Sequence, residues 1–212
     1  MSDLVFYTHP MSRGRIVRWM LEELGEPYQT HYLDFKTTMK SPDYLSINPM
    51  GKVPAITHKG AVVTETAAIC AYLADAFPSK RLAPAAGSAD RAAYLRWMFF
   101  AAGPVEQVVL NQTLGLTVPE DKQATAGYGS RDRVMEALEP VFADAAPFLL
   151  GDQFTALDVY LGSQISWGVQ FGALEPRPAF ARYQARIEAR PAAVRARKID
   201  DDRLAQGASP SA

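Results

Sequence analysis

A serine just ahead of a helix that opens with the wrong sign of charge is where this chain first points to chemistry. Residues 8–25 read THPMSRGRIVRWMLEELG. Ile16, Val17, Met20, Leu21 and Leu24 recur at helical spacing, and Gly25 is a natural stop, which predicts a helix over Arg13–Leu24. Arg13, Arg15 and Arg18 crowd its first turns, where the helix dipole already presents partial positive charge and acids are favoured. The Ser12 hydroxyl and the first N–H groups there converge on a place suited to an anion, and the arginines raise its potential. The plainer alternative is that Ser12 only caps the helix while the arginines pair with acids such as Glu22.

Three further stretches carry polar groups in suggestive places. In GKVPAI (51–56), Pro54 has no N–H to donate, so as a strand-initiating residue it belongs at an edge or bulge. TETAAI (64–69) opens a helix that Thr64 or Thr66 can cap. Glu65 is well placed near its N-terminus, and the exposed N–H groups there suit a carboxylate. In GDQFTALDVYLG (151–162), Thr155 and Asp158 form a capping box ahead of an apolar run, a structural feature. His9, His31 and His58 lack the spacing of a local metal motif, so no metal is expected. Cys70 lies in the apolar helix AAICAYLADAF and reads as core.

The elements that must position these residues change character along the chain. Up to residue 80 the order is strand (LVFYT), helix, strand (YQTHYLDF), a short helix or turn at Ser41–Ile47, a hairpin turning at Lys59-Gly60, and a helix. That is a small mixed α/β layer. Pro78, Pro84, Gly87 and Ser88 then mark a linker over 81–88. Beyond it only helical patterns follow, at about 89–116, 122–146, 156–170, 177–189 and 192–199. The expected organisation is an α/β domain over 1–80, an all-helical domain over 89–205 and a frayed tail over 206–212.

Bulk properties narrow the function classes. The 212 residues carry a net charge of −1, so there is no basic surplus for nucleic acid. The N-terminus holds Asp3 and no long apolar stretch, and nothing in the chain is apolar for long enough to span a membrane. One cysteine rules out an internal disulfide framework and fits a reducing, cytoplasmic setting.

This two-domain order, together with HPMSRGR after the first strand, GKVPAI, TETAAI and GDQFTALDVYLG, resembles the cytosolic glutathione transferases in their bacterial-type, serine-using pattern. The resemblance covers essentially the whole chain. It implies an N-terminal thioredoxin-like domain followed by a C-terminal helical bundle, and glutathione as co-substrate. It also implies attack on electrophilic, largely apolar substrates in detoxification, by a homodimer joined through the helices near 65–77 and 89–116. Carried over, the Val53–Pro54 bond is cis, and Lys52, Val53 and Pro54 shape a backbone edge where Val53 pairs with the cysteinyl unit. Glu65 takes the γ-glutamyl ammonium and Thr66 its carboxylate; Thr66 stands where serine is commoner. Ser12 activates the sulfur. Tyr7 is the rival, since other classes use a tyrosine at the end of the first strand, and Arg13 or Arg15 supplies positive potential. Met11, Phe100, Gln107 and Trp167 are candidates for the electrophile site. The same glutathione site would serve an isomerase, dehalogenase or peroxidase, and a non-catalytic ligand- or protein-binding relative would share the fold.

The thiol chemistry asks for little. A free thiol titrates near 8.5. Lowering that by about two units requires about 2.7 kcal/mol in favour of the thiolate. One charge-assisted hydrogen bond supplies about 1.5–3 kcal/mol and a helix N-terminus about 0.3–2 kcal/mol. One aimed hydroxyl with positive potential behind it is about sufficient, without a general base.

Overall fold

The computed structural model describes residues 3–145 and 147–207. They fall into two compact units: the chain up to Lys80 together with the segment from Ala189 onward, and Arg81–Glu188. The first division, between Lys80 and Arg81, falls inside the Pro78–Ser88 stretch. The terminal helix, which the sequence placed with the helical region, instead belongs to the first unit.

The first unit is built on a four-stranded sheet ordered β2-β1-β3-β4. Strand β1 (Leu4–Thr8) runs parallel to β2 (Gln29–Tyr32) and antiparallel to β3 (Ala55–His58), which pairs with β4 (Ala61–Thr64) through the expected hairpin. Residues Leu4, Phe6 and Thr8 are buried on one face. Tyr7 points to the other, onto a cluster of Met39, Tyr44 and Ala55 that α2 (Pro42–Ile47) helps to form. Helix α1 (Gly14–Leu24) buries all five residues of its apolar stripe, and it packs against α3 (Thr66–Ala76) and α9 (Pro191–Gly207). At its first residue Gly14, an added Cβ would overlap Thr8 Oγ1, so only glycine lets β1 and α1 approach so closely.

The second strand is shorter than the alternation of YQTHYLDF suggests. It stops at Tyr32 because Asp34 turns back on the chain, accepting the N–H groups of Lys36 and Thr37. Helix α9 is longer than the expected 192–199 and includes Gln206 and Gly207; the rest of the predicted tail lies outside the described residues. Its second half, IDDDRLAQG, has no apolar stripe. Ion pairs to α1, not hydrophobic periodicity, keep that stretch helical.

The second unit is helical throughout. The helix expected over 89–116 is two helices, α4 (Ala89–Phe100) and α5 (Glu106–Leu114), joined through a wide π-helical turn over Ala101–Val105. The turn holds Gly103-Pro104, and the missing proline N–H is the physical reason for the interruption. Helix α6 (Arg131–Ala143) starts later than predicted, after Gly127 and Gly129, where Ser130 accepts the N–H of Arg133. Helix α7 (Ala156–Gln170) matches its expectation and is buried from Ala156 to Ile165. Its capping box is formed: Asp158 accepts the N–H and hydroxyl of Thr155, the N–H of Leu149 and the hydroxyl of Tyr183. Helix α8 (Pro178–Glu188) packs on α7, with Phe142 from α6 edge-on to Phe180 and Tyr183.

Candidate functional site

Register brings three of the motifs to one end of the sheet. Tyr7 pairs with Ala55, and Ala55 with Thr64. One step further on lie the exit of β1 toward Ser12, the start of β3 at Val53–Pro54, and the end of β4 at Glu65. All three belong to the first unit.

At the β1–α1 turn, the Ser12 hydroxyl donates to the carbonyl of His9 at 2.6 Å and accepts the N–H of Gly14 at 3.0 Å. Ser12 sits two residues before the helix and is partly exposed. Arg13 holds the cap position without a side-chain bond, one Ser12 lone pair takes the N–H of Gly14, and the Ser12 proton rests on a carbonyl from which a stronger acceptor can draw it. Tyr7 lies elsewhere. It is on the α2 face of the sheet, its ring 5.7 Å from that of Tyr44 and 5.3 Å from that of His31.

The arginines depart from the sequence expectation. Arg13 is exposed at the helix start. Arg15, expected to serve the anion, instead donates to the carbonyl of Pro10 and pairs with Asp201 of α9, both at 2.6 Å. Arg18 is 1% exposed and bonded to Tyr28, Thr30 and Tyr32, with Asp200 at 3.4 Å. Arg15 and Arg18 are thus matched by acids from α9, distant in sequence. Burial pushes the Asp200 carboxyl above its ordinary pKa, and the neighbouring Arg18 and Arg15 guanidinium groups pull it back.

At the start of β3 the Val53–Pro54 peptide bond is cis. The Lys52 carbonyl is held from inside by the Tyr44 hydroxyl (2.6 Å) and the Asn48 amide (2.8 Å), while the Lys52 side chain is exposed. Among the described residues the N–H and C=O of Val53 make no hydrogen bond. An extended peptide can therefore add here as a short strand.

The start of α3 differs from the cap the sequence suggests. Neither Thr64 nor Thr66 caps it; Glu65 holds the cap position, with no side-chain bond and a left-handed φ of 65°. A residue with a Cβ is strained there by about 1–3 kcal/mol. The turn keeps the exposed Glu65 side chain beside helical N–H groups that lack a capping side chain, with Thr66 nearly buried behind it. That pairs a carboxylate, for a cation, with amides, for a carboxylate, which suits an amino-acid end.

The electrophile candidates divide between the units. Met11, 71% exposed, belongs to the first. In the second, Phe100 packs edge-on to Trp97, Gln107 is bonded to Asn111, and Trp167 is partly buried on α7. Cys70 is fully buried, and burial pushes its thiol pKa up, so it is no nucleophile. Among the described residues no group of His, Cys, Asp and Glu is placed to hold a metal, and no helix is long and apolar enough to cross a membrane.

Sequence reasoning missed a cavity of about 670 Å³ between the His9–Met11 turn, the end of β2 and the last turns of α9. Its lining includes Tyr32, Leu33, Arg203 and Leu204. The 170 residues between Tyr32 and Arg203 leave no local signal for it.

Comparison with known proteins fits this geometry. Residues 11–76, which carry Ser12, Val53, Glu65 and Thr66, match the family model described as glutathione S-transferase, N-terminal domain. Human glutathione S-transferase theta-2B is 28% identical over 187 residues, covering 83% of this chain and 76% of that protein. The crystal structure of a glutathione transferase from Methylococcus capsulatus superposes with a TM-score of 0.77 at 28% identity, covering 93% of this chain and 98% of the other. A sphingomonad glutathione S-transferase complexed with glutathione gives a TM-score of 0.74, also at 28% identity, over 93% and 98% of the two chains. With a sheet end that offers a peptide edge, an amino-acid end and a hydroxyl in the first unit, a helical second unit, and these relatives along nearly its whole length, the chain belongs to the glutathione transferase family.

Proposed function

We propose that this protein is a glutathione transferase of the serine-using type, which binds glutathione at this sheet end and attacks electrophilic carbon with its thiolate. The observation that carries the reading is the unbonded backbone of Val53 beside the α3 N-terminus, on the same sheet end as Ser12. Val53 holds the cysteinyl unit by backbone hydrogen bonds. Glu65 takes the γ-glutamyl ammonium, while Thr66 and the first amides of α3 take its carboxylate. The exposed Lys52 follows the glycine end.

Ser12 then turns its hydroxyl from the His9 carbonyl to the sulfur. A thiolate is the stronger acceptor, so the exchange favours the ionised thiol by the charge-assisted share of that hydrogen bond, about 1.5–3 kcal/mol. The thiol proton passes to solvent, with no base of the protein taking part, and the thiolate attacks the electrophile directly while the leaving group departs with its electron pair. The single buried cysteine and the want of a disulfide framework favour a reducing, cytoplasmic setting.

Calorimetric titration with glutathione, beside a conjugation assay with 1-chloro-2,4-dinitrobenzene, tests the reading. Binding at sub-millimolar to millimolar concentration with turnover is expected, and Glu65→Ala weakens binding while the fold persists. Failure of the wild type to bind glutathione overturns it.

A further inference from the structure

The cavity beside Ser12 carries a cation that the glutathione site does not use. Arg203 lies on α9 three residues beyond Asp200, in the stretch tied to α1 through Arg18–Asp200 and Arg15–Asp201. Its guanidinium stacks over the Tyr32 ring, 4.6 Å from the centroid. The Tyr32 ring is itself anchored at its hydroxyl, which accepts from Arg18 at 3.2 Å. Among the described residues no carboxylate lies within ion-pair distance of Arg203. The one acid lining the same cavity, Asp34, is engaged by the N–H groups of Lys36 and Thr37 and by the Thr37 hydroxyl.

His9 adds no charge here. It accepts the Met11 N–H on Nδ1 at 3.0 Å, and burial lowers its pKa. The rest of the wall is largely apolar: Met11, Leu33 and Leu204. The cavity thus offers an apolar floor and one stacked, forked cation, a match for a flat apolar body that ends in an acid.

We infer that this cavity is the subsite for the electrophile and that Arg203 selects substrates bearing a carboxylate or similar anion. The inference rests on the glutathione reading above, which already gives glutathione's own two carboxylates partners at the α3 N-terminus and Lys52. Arg203 is surplus to them. In the conjugation step the thiolate sulfur bonds to the electrophilic carbon, the bond to the leaving group breaks, and that group leaves with the electron pair. The acid held by Arg203 is a handle and takes no part.

The test is a matched pair of electrophiles identical at the reacting carbon: 4-chloro-3,5-dinitrobenzoate and its methyl ester. Wild type, Arg203→Gln and Arg203→Lys are compared in turnover, and by calorimetry with glutathione and with the two S-conjugates. Arg203→Gln is expected to raise KM for the acid, and to weaken its conjugate, by about tenfold. The ester, its conjugate and glutathione itself stay unchanged, and Arg203→Lys restores part of the preference. Equal effects on acid and ester overturn the inference and leave the transferase reading standing. Weaker binding of glutathione in Arg203→Gln also overturns it, assigning Arg203 to a glutathione carboxylate instead. Absence of glutathione binding in the wild type removes both.

Discussion

At the scale of single residues, two hydroxyls and one strained backbone carry the reading. The hydrogen-bonding proton of Ser12 lies at the turn where the sulfur is expected, whereas Tyr7 points into the Met39–Tyr44–Ala55 cluster on the α2 face. Ser12→Ala should therefore raise the pKa of bound glutathione by about one to two units. Tyr7→Phe should leave it in place; thiolate absorbance near 240 nm followed against pH reads both. The reverse pattern would make this a tyrosine-type enzyme. Glu65 allows a sharper separation of function from stability. Its left-handed φ is costly for a residue with a Cβ, and glycine removes that cost. Glu65→Gly should stabilise the fold by up to about 1 kcal/mol in urea unfolding while weakening glutathione binding. A loss of both would mean that the side chain supports the fold. These positions were legible because each lies in a short motif whose chemistry is local: a proline at a strand start, an acid and a hydroxyl at a helix start. The conformation of Glu65 was not, since sequence suggested a threonine cap and the chain uses a strained turn.

At the scale of elements, the anchoring of α9 on α1 decides whether the cavity beside Ser12 exists. Two of the three arginines at one helix start, Arg15 and Arg18, are answered by Asp201 and Asp200, whose charges arrive only through tertiary packing. Helical periodicity revealed α1 and α7 because their stripes are apolar. The same signal could not reveal the end of α9, which is held by ions. The buried pair makes a pH prediction with a definite sign. Burial raises the Asp200 carboxyl above its unfolded value, so its contribution is full at low pH and declines as pH rises through the folded pKa. Arg18 limits that decline. Arg18→Met removes the cation from a carboxylate that is 1% exposed, so the folded pKa rises further. Its destabilisation should thus grow between about pH 4 and pH 7, reaching about 3–5 kcal/mol at neutrality. Asp200→Asn, which keeps an acceptor and carries no charge, should flatten the profile. Urea midpoints across that range check both, and a cost for Arg18→Met that does not change with pH would show that only its hydrogen bonds to Tyr28, Thr30 and Tyr32 matter.

At the scale of the whole molecule, the helical unit leaves several large apolar side chains exposed. Leu95 and Phe99 stand four residues apart on α4, and Leu110 and Leu114 repeat that spacing on α5. All four are exposed, Phe99 to 73%. Scattered apolar residues on a surface need no explanation, but pairs at helical spacing form stripes, and a stripe of this kind marks a contact surface. In the other unit, Val62 is exposed on β4 as well. A second copy of the chain is the partner the family resemblance implies, and a self-complementary patch closes as a symmetric pair, with the same residues contributed from both sides. Light scattering at micromolar concentration should accordingly give twice the 23.2 kDa of one chain. Phe99→Glu places a charge in that patch without touching the buried core residues Tyr94, Trp97 and Met98, so it should shift the mass toward one chain while circular dichroism stays unchanged. Glutathione affinity separates two versions of this picture. The residues proposed to hold glutathione all lie in one unit of one chain, so the separated Phe99→Glu protein should still bind it. A loss of affinity in step with the loss of mass would instead mean that the partner copy completes the site.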